Sequence, residues 1–74
     1  MTHSASVSVS ISVNGEPREI AAGTVLATVV ATLTQATKGV AAALNETVVP
    51  RGQWLHTRVE DGDRVEILTA VQGG

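Results

Sequence analysis

Cysteine is absent from the chain. No disulfide can staple it, no thiolate can hold a metal, and no persulfide can form on a side chain. Such a composition fits a reducing, cytoplasmic setting. Aromatic residues are almost absent as well, Trp54 being the only one, so Val, Leu, Ile and Ala must fill the core. Residues 1–6 lack the basic start and apolar stretch of a signal peptide, and no apolar run reaches the length of a membrane span. Five Lys and Arg against seven Asp and Glu leave a formal net charge of −2. That argues against a nucleic-acid partner, which demands a basic face. Asn45-Glu46-Thr47 fits the glycosylation pattern but is discounted without a secretion signal. No nucleophile–base pair, phosphate-binding loop or metal cluster is evident, and His3 and His56 have no recognisable catalytic setting, so the chain does not read as an enzyme. With 74 residues, it reads as one domain, 1–74, near the lower limit of unaided folding.

What is present is organised around the end. Gly73-Gly74 follows, after Gln72, on an alternating run from Arg64 to Val71. Two residues without side chains can thread a slot too narrow for any Cβ, and the three residues after Val71 can reach about 10 Å beyond a sheet. A free α-carboxylate is a poor electrophile. Joined to AMP it becomes a mixed anhydride open to attack by sulfur or nitrogen. The bland reading is a frayed terminus, where glycine is common.

From Ser6 to Val13 the chain alternates strictly, with Val7, Val9, Ile11 and Val13 on one face and four serines on the other, the period of a half-buried strand. Residues 1–5 are expected to be frayed. Asn14-Gly15 suits a tight hairpin turn. The second strand, Glu16 to Ile20, contains Pro17 and therefore belongs at a sheet edge. Thr24 is placed as an N-cap. Leu26, Val29, Val30 and Leu33 then recur with helical spacing, and Gly39 is a natural place for that helix to have ended. Val40 to Leu44 reads as a central strand, Asn45-Glu46 as a turn, and Thr47 to Val49 as a brief strand stopped by Pro50. Trp54 and Leu55 are expected to fold back over one end of the core. Glu60-Asp61-Gly62-Asp63 is a turn; without spaced ligands and a distal Glu it is not a calcium loop. The last strand follows with Val65 and Ile67 inward.

This order predicts an α+β protein with a β-grasp, ubiquitin-like fold: a mixed sheet of four to five strands covered by one helix, the first and last strands paired in the middle. A flexible Gly-Gly tail, 72–74, would extend from it. If Val65 and Ile67 face inward, then Glu66, Leu68 and Ala70 face out. Beside them would lie the serines of the first strand together with Ala41 and Ala43, making a smooth docking plateau with Leu68 standing on it. Arg51 is left between a place near the tail and a pairing with Glu60 or Asp61.

Asn14, Ala22-Gly23-Thr24-Val25, Ala43-Leu44-Asn45, Val49-Pro50-Arg51 with Trp54 three residues on, Asp61-Gly62-Asp63, Val65-Glu66-Ile67 and Gly73-Gly74 together resemble the ThiS family of sulfur carriers in thiamine biosynthesis. The resemblance runs from about Ile11 onward. It implies that a ubiquitin-activating-like (ThiF-like) adenylating enzyme uses ATP and magnesium to adenylate Gly74, the carrier itself binding no cofactor. Sulfur from a cysteine desulfurase relay then gives a thiocarboxylate, which a ThiG-like thiazole synthase consumes. The site residues would be Gly74 and Gly73 for the chemistry and Leu68, Ala70, Gln72 and Glu66 for partner binding. The nearest rival is the small subunit of molybdopterin synthase, MoaD, which shares the tail; Thr69-Ala70-Val71-Gln72 lacks the Pro-Pro often found before the tail there. A sulfur carrier serving another metabolite, a protein modifier and a plain β-grasp interaction module with an inert tail also stay open.

Overall fold

The computed structural model describes residues 7–36 and 38–70. The expectations for residues 1–5, for Ser6 and for the tail from Val71 to Gly74 fall outside the described residues.

Alternation makes the first strand. β1 (Ser8–Val13) turns Ile11 and Val13 into the core and leaves Ser8 and Ser10 exposed. Asn14 and Gly15 have φ of 52° and 85°, the positive values that let a two-residue turn follow the twist of its strands. β2 (Glu16–Ala21) returns antiparallel, with Val13 opposite Glu16 and Ser12 opposite Pro17. It forms one edge of the sheet, where the missing N–H of Pro17 leaves no neighbour unpaired.

α1 (Leu26–Leu33) buries Leu26, Val29 and Val30 against the sheet. Two expectations fail at its ends. Thr24 is not the N-cap: that position is Val25, without a side-chain cap, while the Thr24 hydroxyl donates backward to the Ala21 carbonyl at 2.6 Å. Main chain from elsewhere serves instead, the Leu26 N–H bonding Thr57 O at 2.7 Å and the Val59 N–H bonding Thr24 O at 2.9 Å. The helix also ends well before Gly39. Thr34 leaves it in extended backbone (φ −149°, ψ 146°), and its hydroxyl accepts the Ala36 N–H at 3.0 Å, a local bond that competes with continuing the helix.

β3 (Val40–Leu44) and β4 (Thr47–Val49) form a second hairpin across Asn45 and Glu46, both at positive φ. A 3₁₀ turn (Arg51–His56) places Trp54 in the core, its Nε1 donating to Val49 O at 2.8 Å. Leu55 does not join it; it is 71% exposed, because successive residues of so tight a helix point in different directions. β5 (Arg64–Thr69) closes the fold, parallel to β1 and antiparallel to β3, giving the sheet order β2-β1-β5-β3-β4. The core is Ile11, Val13, Leu26, Val29, Val30, Ala42, Trp54, Val59, Val65 and Ile67. Val59 is fully buried although no periodicity marks it.

Candidate functional site

The last strand carries the site, and its two borders differ. On the β3 side, Leu68 pairs with Ala41 and Glu66 with Ala43. Partners in a ladder share a face, so Leu68, Glu66, Ala41 and Ala43 all lie on the face away from the helix. Ala43 is itself paired with Val48, which adds an apolar side chain to the same face. Leu68 and Val48 are each 70% exposed. Ala41 and Ala43 are small enough to leave them standing clear, and together they form a low apolar patch with the Glu66 carboxylate at its margin.

The β1 side corrects the expected plateau. β1 and β5 are parallel with Ser12 opposite Arg64 and Val13 opposite Val65. Ser10 lies farther back, its carbonyl accepting the Gly62 N–H at 2.7 Å. The serines therefore flank the start of β5 and not Leu68. Where β1 stops, the side chain of Asn14 takes over, its Oδ1 accepting the Ile67 N–H at 2.8 Å and its Nδ2 donating to Ile67 O at 3.2 Å.

Ala70, where the described part of the strand region ends, is held on its other side by Gly39. The Ala70 N–H donates to Gly39 O at 2.6 Å. Gly39 has φ +70°, and a Cβ built there would lie 3.0 Å from Ala70 Cβ. This glycine, expected to end the helix, instead lets main chain approach main chain at the root of the tail. Of the sequence-derived site residues, Glu66, Leu68 and Ala70 are brought together at one end of the sheet, all exposed. Gln72, Gly73 and Gly74 lie outside the described residues. Val48, Asn14 and Gly39 were missed. Val48 was within reach, since Val49 turning inward puts Val48 outward; the other two depend on register across strands.

Arg51 lies on the helix side of the sheet. Its guanidinium carbon lies 5.5 Å from the centroid of the Trp54 ring, within cation–π range, beside a groove on the helix side lined by Val30, Ala31, Gln35 and Leu55. Neither pairing once open to it, with Glu60 or Asp61, is formed; the one ion pair among the described residues is Arg64 with Glu46 at 3.7 Å, both exposed. No group of three or more potential metal ligands occurs among the described residues, and none of their helices is long and apolar enough to cross a membrane.

A five-stranded mixed sheet, with parallel first and last strands side by side within it and one helix across a single face, defines a β-grasp, ubiquitin-like protein. The model of the ThiS family matches residues 11–74. A curated relative, the sulfur carrier protein ThiS of Escherichia coli (strain K12), is 34% identical over 61 residues, covering 82% of this chain and 92% of that protein. The crystal structure of the thiamine biosynthesis protein ThiS from Geobacter metallireducens superposes with a TM-score of 0.73 at 32% identity, covering 89% of this chain and all of that one. The chain belongs to the ThiS family.

Proposed function

We propose that this protein is the sulfur carrier of thiamine biosynthesis, a protein co-substrate rather than a catalyst. The observation that carries the reading is the extent of the family match, which includes Gly73 and Gly74. In this reading the Gly74 carboxylate attacks the α-phosphate of ATP on an adenylating partner that supplies the magnesium, and pyrophosphate leaves. The terminal sulfur of a persulfide, charged by a cysteine desulfurase, then attacks the acyl carbon and AMP leaves. A thiol cleaves the resulting acyl disulfide and frees the thiocarboxylate. Thiazole synthase takes the sulfur from it. With no cysteine in the chain, the terminal carbonyl is where sulfur would ride. Leu68, Val48, Ala41 and Ala43 would dock the partner enzymes, with Glu66 and Ala70 at the border of the contact and Gln72 leading the tail into the partner's slot. Such a contact must release after each cycle, which suits a small patch of modest affinity.

The test is intact mass after incubation with ATP, the adenylating enzyme and a sulfur donor, beside a chain lacking Gly74. The expected result is a gain equal to sulfur replacing oxygen, mapped to Gly74 and absent from the truncated chain. No gain with competent partners would remove the carrier reading. Supplying the charged protein to thiazole synthase and to molybdopterin synthase in turn then identifies the acceptor.

A further inference from the structure

We infer that Asn14 is a positioning residue for the tail: its carboxamide replaces the strand that β1 no longer provides and fixes the line along which β5 delivers the chain towards Gly74. The geometry rests on residues far apart in sequence. β1 ends at Val13, opposite Val65, while β5 runs on to Thr69. Side chains of the odd-numbered residues here face the core, and their main-chain groups face the β1 side, as the Asn14 N–H to Val65 O bond of 2.8 Å shows. Ile67 is the first such residue beyond β1. Its N–H and C=O would both meet solvent or an open edge, and Asn14 satisfies both through one planar amide. A carboxamide presents an acceptor and a donor side by side, the same pair a neighbouring peptide would offer.

Asn14 thus does two separable things. Its backbone makes the hairpin turn at φ 52°, a conformation Asn tolerates and Gly tolerates better. Its side chain holds Ile67, which lies between Glu66 and Leu68 and three residues before Ala70. On the β3 side the strand is held to its end by the Val40–Thr69 pairing and the Gly39–Ala70 bond. With the amide removed, β5 beyond Val65 would be held from one side only. The strand would pivot about β3, and the direction in which it hands on the chain at Ala70 would vary more. Docking through Leu68 and Val48 would survive, but the carboxylate would spend less time at the reacting phosphate, so the loss belongs in kcat and not in KM.

The consequence for turnover rests on the carrier function proposed above; the anchoring itself does not. Asn14→Gly keeps the turn and deletes both bonds. Asn14→Asp keeps an acceptor for the Ile67 N–H and loses the donor to Ile67 O. Amide exchange by NMR, reading Ile67 against Val30 in the helix, tests the anchor without any partner. In Asn14→Gly the Ile67 amide should exchange at least about tenfold faster relative to Val30. Adenylation kcat should fall by about three- to tenfold with KM within about twofold. Asn14→Asp should lie between this variant and the parent in both readouts, and serves alone if Asn14→Gly does not fold. An unchanged Ile67-to-Val30 ratio overturns the inference, as does a rise in KM at unchanged kcat. If the parent chain is not adenylated at all, the carrier function fails, while the exchange ratio still decides whether Asn14 anchors the strand.

Discussion

The two ends of β5 are built on different plans. Its start is held redundantly. Arg64 N–H donates to Asn45 Oδ1 at 2.9 Å and Arg64 O accepts the Asn45 N–H at 2.8 Å. Asn45 Nδ2 donates to Asp63 Oδ1, and Asp63 Oδ2 accepts the Glu60 N–H. Asp61 Oδ1 accepts the Ser10 N–H at 2.8 Å. The acidic turn thus ties β1, β5 and the β3–β4 turn into one knot. Beyond the β3 ladder, the exit end has one amide from Asn14 and one glycine, Gly39, placed against Ala70. The start of the strand is thereby tied to several elements at once, and its exit to few.

The sharpest way to break the comparison is to hollow the start. Val65 is fully buried, and Val65→Ala should lower stability by about 2–3 kcal/mol through lost burial and the cavity left behind, measured by urea denaturation. A loss no larger than that of an exposed substitution would mean the start of β5 is not the anchored end. Next comes Gly39→Ala. Its positive φ and the 3.0 Å approach to Ala70 Cβ should cost about 1–2 kcal/mol and speed exchange of the Ala70 amide more than that of Val65. Equal acceleration at both would show that the ends of the strand open as a unit. The smallest effect on stability belongs to Leu68→Glu, within about 0.5 kcal/mol because the side chain is exposed, yet adenylation should weaken through a raised KM. Unimpaired turnover in that variant would remove the docking patch.

Much of this was legible from residue order. Alternation from Val9 to Val13, Asn14-Gly15, and Pro17 on an edge are local signals that came out as read, whereas Val7, expected on the same buried face, is exposed ahead of β1. Leu26, Val29 and Val30 marked the buried stripe of the helix, although Leu33, read with them, is exposed at its end, and Val65 and Ile67 marked the buried side of β5. What was not legible depends on contacts between distant segments. Thr24 looks like a cap, but main chain at 57–59 already meets the helix start. Gly39 looks like a helix stop, but its reason is Ala70, met only once β3 lies beside β5. The serines of β1 share a face with Leu68, yet the parallel register carries them to the opposite end of the sheet. Face can be read from a period of two; position along a neighbouring strand cannot. The exposed apolar patch was therefore half legible: Leu68, Glu66 and the alanines from their period, Val48 only from the ladder that joins it to Ala43. The tail, read from its chemistry alone because Gly-Gly carries no packing signal, lies outside the described residues.

The place of β5 in the sheet has a bearing on synthesis. Among the described strands it is the last in sequence and the middle one in space, between β1 and β3. Until the ribosome has made it, β1 and β3 have no common neighbour, and Val13, Leu26 and Ala42 have no Val65 or Ile67 to close against. Long-range pairings of this kind delay folding until late in translation. A chain interrupted before β5 would leave an open sheet for cellular proteases and would have no tail to offer. A molecule with a closed core has therefore already been translated through β5.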